Sequence, residues 1–416
     1  MDPLVIRAYA QRIETELTQN ILPFWPKHVV DHDRSGLYGS LTNDLTIDRS
    51  AIRGGLLSAR ILWTYSAAHR QYHNPAYLEM ARRAYDDLEK NFRDQEHGGY
   101  YWSIKADGTP LQTRKQVYGQ AFAIYALSEY HRTTGLRKPL DQAIELFQLL
   151  EKHAREPKFG GYLEAFSREW GHIDDVRLGE TDLNEPKSQN THLHVMEAYT
   201  NLMRVWPDPE LKRSQATLID VMLTRILKAD THHLQLFFAL DWTSRSDVVS
   251  YGHDIEASWL LMEAASVLGD PALIARLIPE ALAIAEVTLA EGIDTDGAVF
   301  NAGKASGVTD TVKEWWPQAE AVVGFLDAYQ LSKDERFLRA ALWCWDFIET
   351  RLVDRTHGEW FRGVDRGGNV LQEHLKVGFW KCPYHNGRAC MEAASRLRTI
   401  AAARIQNQQQ PSSIAS

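Results

Sequence analysis

Only three cysteines, Cys344, Cys382 and Cys390, occur in 416 residues, and no two of them form a CxxC pair. The odd count and the spacing exclude a disulfide-stapled scaffold and leave reduced thiols. A zinc site built from Cys382, His385 and Cys390 would lack the paired-cysteine spacing that structural zinc uses, so no metal is expected. Cations are also short. Against 55 Asp and Glu stand 46 Lys and Arg, a formal net charge of -9, which argues against a nucleic-acid partner. There is no apolar run of roughly 18 residues and no N-terminal cleavable apolar segment, so no membrane partner is expected and the location reads as cytoplasmic. A phosphate-binding glycine loop is missing as well, and no nucleotide or other cofactor is expected.

Aromatic rings, by contrast, are plentiful: 13 Trp and 16 Tyr in a chain that is 44% hydrophobic and 24% charged. Such rings can stack on the flat faces of sugars. The length would suit two or three domains or one closed barrel, and a repeat decides between them. A Gly-aromatic element reads GLYG at Gly36, HGGYYWS around Gly98, FGGYLEAF around Gly160, LQLFFALDW from Leu234, DGAVFNAG around Gly297 and HGEWFRG around Gly358. The steps are 62, 62, about 75, about 62 and 61 residues, read from those positions. Each copy follows one helical segment and precedes another. Six such units predict an all-α fold, an (α/α)6 barrel of two concentric helix rings with short β-hairpins or turns at one end. Residues 1–403 would form this one domain, with 404–416 a disordered tail.

Charge separates the rings. The segment AYLEMARRAYDDLEKNFRD, from Ala76 to Asp94, carries both signs and reads as an outer, solvated helix, whereas QVYGQAFAIYALSEY, from Gln116 to Tyr130, holds one charged residue and reads as an inner one. Inner helices are expected to begin near Arg53, Tyr118, Asn190, His253, Trp316 and His385, with their like ends around one mouth. The polar stretch from Ser167 to Gln189 lengthens the third step and reads as a loop across that mouth.

The stretch YGHDIEASWLLMEAASVL, from Tyr251 to Leu268, is the clearest inner helix, with no Lys or Arg. Helical spacing puts His253, Glu256 and Glu263 on one stripe, facing an enclosed polar cavity. His253 lies in the first turn, where the helix dipole favours a neutral ring, and Glu256 would orient it. In NTHLHVMEAYT, Asn190 and His194 share a face while His192 points elsewhere, so the HxH pair is not a two-ligand site. His385 and Arg388 follow Pro383, which limits their helix to starting after it. Three histidines from inner helices three, four and six at one mouth point to acid-base chemistry. Trp316 and Trp380 are candidate sugar platforms. Arg60, one turn into the first inner helix, needs an anionic or ligand partner if buried. Tyr118, and Asp182 from the long loop, complete the candidate set.

NTHLHVMEAYTNL, YGHDIEASWLL, EWWPQAE and KCPYHNGRACMEA resemble the signatures of the N-acylglucosamine 2-epimerase superfamily, most of all its cellobiose 2-epimerase branch, over roughly residues 5 to 400. The resemblance implies a cofactor-free epimerisation at C2 of the reducing-end glucose of β-1,4 disaccharides. It places His194, His253, His385, Glu256 and Arg60 as catalytic groups and Tyr118, Asp182, Asn190, Trp316 and Trp380 as substrate contacts. Two other activities stay open: an aldose-ketose isomerase of the same superfamily, and a glycoside hydrolase, which would need two carboxyl groups across the scissile bond.

Overall fold

The computed structural model describes residues 1–34 and 36–409. Twelve helices among the described residues form two concentric rings, the (α/α)6 barrel that the repeat predicts. The inner helices are Gly55–Tyr72, Val117–Thr134, Gln189–Met203, Tyr251–Leu268, Trp315–Ser332 and Tyr384–Gln409. Each packs on the next and the sixth packs on the first, so the ring closes. The outer helices are Pro75–Asp87, Arg137–Leu149, Pro209–Val221, Pro271–Glu291 and Glu335–Phe347, together with an N-terminal one. That N-terminal helix, Pro3–Glu16, continues through a π-helical turn into Leu22–His28 and packs on the C-terminal inner helix, joining the two ends of the chain.

Local chemistry explains both the starts and the stops. Asn74, Asp208 and Asp270 each accept a hydrogen bond from a backbone N–H of the outer helix they precede, and a proline follows each at the first helical position. Inner helices one, two, four and five end in left-handed residues, His73, Gly135, Gly269 and Lys333, which turn the chain at once into the next outer helix. The inner-to-outer links are therefore short and lie at the base. The outer-to-inner links are long, and they gather at the opposite end.

There the Gly-aromatic copies pair as short antiparallel strands. Arg53–Gly54 pairs with Ser103–Ile104, Lys115–Gln116 with Ala165–Phe166, Lys187–Ser188 with Phe237–Phe238, and Lys313–Glu314 with Gly363–Val364. In each case the two residues before one inner helix are tied to the strand that precedes the next. Single bridges, Val249 to Gly303 and Leu41 to Val377, continue the pattern. Buried ion pairs pin this rim: Lys115 Nζ lies 2.8 Å from Asp94, Lys187 Nζ 3.3 Å from Glu156 and Lys313 Nζ 2.9 Å from Asp294. Asp94 and Glu156 also accept from backbone N–H groups of the turn that leads into their glycines. Removing one partner of such a pair strands a buried charge and costs about 3 to 5 kcal/mol.

One boundary differs from the sequence expectation. Residues 404–409 are not a disordered tail but the last turns of the sixth inner helix, because Arg404 donates to the Tyr329 hydroxyl and pairs with Glu335. Residues 410–416 lie outside the described residues. No helix among the described residues is long and apolar enough to cross a membrane.

Candidate active site

Because all six inner helices begin at the mouth, their first two turns line one cavity of about 240 Å³. All ten residues expected at the site line it: Arg60, Tyr118, Asp182, Asn190, His194, His253, Glu256, Trp316, Trp380 and His385. The loop after Ser167 crosses the mouth as predicted and contributes Leu178, Gly179, Thr181 and Asp182 to the wall. Asp182 is itself held by the Gly179 N–H, which donates to its Oδ2 at 2.8 Å, and burial raises its pKa.

The three histidines are each anchored through Nδ1, and among the described residues no protein group bonds their Nε2 atoms. His194 Nδ1 lies 2.8 Å from Glu197 Oε2, His385 Nδ1 2.7 Å from Glu320 Oε1, and His253 Nδ1 2.8 Å from Ser250 Oγ. A carboxylate can only accept, so neutral His194 and His385 carry their proton on Nδ1 and keep a lone pair on Nε2. All three rings are held neutral. Burial pushes the His253 pKa down to about 3, with repulsion from His194 adding to it. Burial also lowers His194, and lowers His385 well below the usual range with Arg60 and Arg388 adding. The dipole expectation for His253 thus has the right direction, while burial is the larger cause.

Two sequence readings need correction. Glu256 does not hold His253. Its Oε1 accepts from Arg388 Nη2 at 2.8 Å and lies 3.9 Å from His385 Nδ1, because the buried guanidinium draws the carboxylate toward the barrel axis. Glu263, placed on the same stripe, lies two turns deeper and pairs with Arg204 at 2.7 Å instead of facing the cavity. His192 behaves as expected. Its Nε2 accepts from the Tyr162 N–H at 2.8 Å and its Nδ1 donates to the Ser188 carbonyl at 2.6 Å, a structural role.

Beneath the histidines lies a network that the sequence reading left out. Arg388, 2% exposed, donates to Glu197, to Glu256 at 2.8 Å and to Glu320 at 2.7 Å, and Tyr384 also donates to Glu197. Burial alone would raise Glu197, yet Arg388 and His194 hold its pKa at about 2. Glu256 and Glu320 go the other way: burial raises both, and for Glu256 the neighbouring Glu320 adds to the rise. The spacing that could have revealed this network is an acid three residues after His194 and another four after Trp316, on helices otherwise almost free of charge. Glu256, Glu320 and His385 present ligand atoms within 4.8 Å of one another. The Arg388 guanidinium already donates to both carboxylates and supplies a positive charge between them, so this set fits a further cation poorly.

Among the described residues, five buried polar atoms of the cavity-lining side chains lack a protein partner: Arg60 Nε, Asn190 Oδ1, Glu256 Oε2, Trp315 Nε1 and Arg362 Nε. Unpaired groups of this kind are costly unless a ligand or water meets them. Arg60 donates to the Tyr118 hydroxyl at 2.6 Å and to the Trp380 carbonyl at 3.3 Å. The Trp316 ring lies 4.7 Å from His253 and 5.6 Å from His385. Trp380 closes the other side, 5.9 Å from Trp102. The site thus offers two aromatic walls, three neutral imidazoles with free Nε2 atoms, and two guanidiniums, Arg60 and Arg362.

The family model described as N-acylglucosamine 2-epimerase (GlcNAc 2-epimerase) matches residues 36–389. The chain is similar to the cellobiose 2-epimerase of Bacteroides fragilis, 48% identical over 92% of this chain and 97% of that one. It is similar also to that of Ruminococcus albus, at 39% over 92% and 98%. Among solved structures, the cellobiose 2-epimerase of Spirochaeta thermophila superposes with a TM-score of 0.89 at 42% identity, covering 95% of this chain and 98% of its own.

Proposed function

This chain belongs to the N-acylglucosamine 2-epimerase family, and on that premise we propose that it is a cellobiose 2-epimerase. It would act in the cytoplasm, with the barrel as one catalytic domain that includes the whole of the sixth inner helix to Gln409. The substrate is a β-1,4 disaccharide whose reducing-end glucose is inverted at C2, cellobiose giving glucosyl-mannose and lactose giving epilactose. The observation that carries this reading is the pair His253 and His385, which line one cavity with Nδ1 anchored and Nε2 unbonded, their rings 4.7 and 5.6 Å from that of Trp316.

Inversion at C2 of an aldose needs the ring opened, the proton α to the aldehyde removed, and a proton returned to the opposite face of a cis-enediolate. Two bases serve two faces, and His253 and His385 take these roles. His194, backed by Glu197, assists ring opening at O1. Arg60 and Tyr118, hydrogen-bonded to each other, stabilise the negative charge that develops on O1 and O2. Asn190 and Asp182 offer acceptors to hydroxyls, and Trp316 and Trp380 hold the sugar rings. Glu256 and Glu320, through Arg388, set the charge beneath His385.

The test is a product assay in deuterated water on cellobiose, mannose and glucose separately. Glucosyl-mannose carrying deuterium at C2 is expected from cellobiose. A ketose as the sole product would assign an isomerase, and released glucose a hydrolase. In the same assay His253→Asn and His385→Asn should each abolish net epimerisation, while each keeps C2 exchange with only one of the two epimers. Equal exchange of both epimers by both variants would remove the two-base assignment.

A further inference from the structure

A second cavity of about 370 Å³ lies behind His253, lined among others by Glu164, Ser188, Gln189, Ser250, Phe237 and Asn301. Leu178, Thr181, Asp182, Asn190, His253 and Trp316 line both cavities, which therefore adjoin, whereas Ser250 lines only this one. Its outer end reaches Leu183, which is 44% exposed, so the space runs towards solvent. Its wall is polar enough to hold water: the buried side chain of Gln189 keeps both amide atoms without a protein partner.

Ser250 stands at the N-cap of the fourth inner helix, where a serine hydroxyl ordinarily accepts from a backbone N–H of the first turn. Here it makes no such bond, and Oγ lies instead 2.8 Å from His253 Nδ1. Ser188, at the same position of the third inner helix, does cap, accepting from the Thr191 N–H at 3.1 Å. His253 is thus the one of the three histidines whose Nδ1 faces a hydroxyl and not a carboxylate. A hydroxyl both donates and accepts, which leaves His253 free to exchange one neutral tautomer for the other. His194 and His385 are fixed in one neutral tautomer by Glu197 and Glu320.

We propose that Ser250 is a relay and positioning residue that links His253 to the second cavity, so that His253 takes a proton at Nε2 while it gives one up at Nδ1. This rests on the epimerase reading above. The C2–H bond breaks, its electron pair enters the enediolate and the proton goes to His253 Nε2. The Nδ1 proton passes to Ser250 Oγ as the Ser250 hydroxyl proton passes to water in the second cavity. The ring ends neutral with its proton on Nε2. On the other face, His385 first takes a proton at Nε2 from water in the main cavity, its transient charge offset by Glu320 at Nδ1, and that Nε2–H then passes to C2, which returns the ring to its neutral form. One proton leaves and one enters. No buried imidazolium stands at His253, in a cavity where six helix N-termini and Arg60 would oppose it.

The test is a proton inventory of kcat with C2-deuterated cellobiose, which makes bond cleavage rate-limiting, in mixtures of light and heavy water. Two protons in flight, on Nδ1 and Oγ, give a bowed dependence on deuterium fraction in the native protein and in Ser250→Thr. Ser250→Ala should give a straight line with kcat lowered about 10-fold or more and KM little changed. A straight line for the native protein, which needs no variant to fold, or a bowed one for Ser250→Ala, overturns the relay. Failure of the native protein to form any epimer of cellobiose overturns the functional reading, and the relay with it.

Discussion

Replacing Arg388 by Met should strip the charge from the floor of the site while keeping most of the stem's packing between Trp259 and Tyr384, whose rings lie 4.7 and 4.4 Å from the guanidinium. Three buried carboxylates, Glu197, Glu256 and Glu320, would lose their common partner. Breaking a buried pair by removing one member costs about 3 to 5 kcal/mol, because the remaining charge must stay unpaired or take a proton. At about 2.1 cal/mol/K per residue, a chain of 416 residues unfolds with an entropy near 0.9 kcal/mol/K, so Tm should fall about 3 to 6 °C. The loss should depend on pH. In the native protein Glu197 has a depressed pKa of about 2, so its contribution is complete above the ordinary glutamate value and is lost only as pH falls towards 2. Burial already raises Glu256 and Glu320 in the native protein; without Arg388 Glu197 rises too and the other two rise further, so the folded variant binds more protons than the native one does. Its deficit should therefore widen as pH rises and narrow towards pH 5.5. Thermal unfolding of both proteins from pH 5.5 to 8.5 measures this. A deficit under 1 °C, or one constant with pH, would refute the account of Arg388 as the cation that holds Glu197 charged and limits the rise of Glu256 and Glu320.

Trp316→Ala and Trp380→Ala should each lower kcat/KM on cellobiose several-fold with the fold intact, since stacking contributes about 1 kcal/mol per ring beyond area burial; unchanged kinetics in both would remove the platform assignment. The acid limb of kcat/KM should lie below about pH 6, under the ordinary histidine value of about 6.5, because burial holds His253 at about 3 and keeps it a neutral base. The same depression costs stability as pH falls from about 6.5 towards 3, where the unfolded chain binds protons that the folded one refuses; an acid limb at or above pH 6.5 contradicts it. Exhaustive chelation should leave activity unchanged, since Arg388 already occupies the carboxylates nearest His385; loss that a divalent ion restores would overturn this.

The repeat made the fold legible, since six Gly-aromatic copies fixed both the number of helix pairs and the end at which they open. Residues that face the cavity from the first two turns of an inner helix were legible too, because a polar side chain there has nowhere else to go. Tertiary partners were not. Helical spacing puts Glu256 one turn from His253, and local reasoning joins them; a guanidinium 132 residues further on decides otherwise. The rim pairs were missed for the same reason: Lys115 and Asp94 sit 21 residues apart and meet only because successive strands align. Ser250 could have been found, since a serine three residues before His253 is within reach of its ring. It reads as an ordinary N-cap, and only the distance shows that the cap is not made.

The arrangement of helix ends explains why this barrel suits an anionic intermediate. Six inner helices direct their N-termini at one cavity, each with a partial charge of about half an elementary positive charge on its unsatisfied N–H groups. Arg60 and Arg388 add two full positive charges. An imidazolium at the mouth would face all of these, which adds to the burial that keeps the histidines neutral, as bases must be before they abstract a proton. Glu197 and Glu320 lie one layer deeper and Glu256 at the cavity floor, and all three offset Arg388. A cis-enediolate formed above them meets a field fixed in advance by backbone and guanidinium, and needs no reorganisation to be stabilised. The positive end of the barrel thus does two things with one geometry: it withholds protons from the bases and it receives the charge that those bases create.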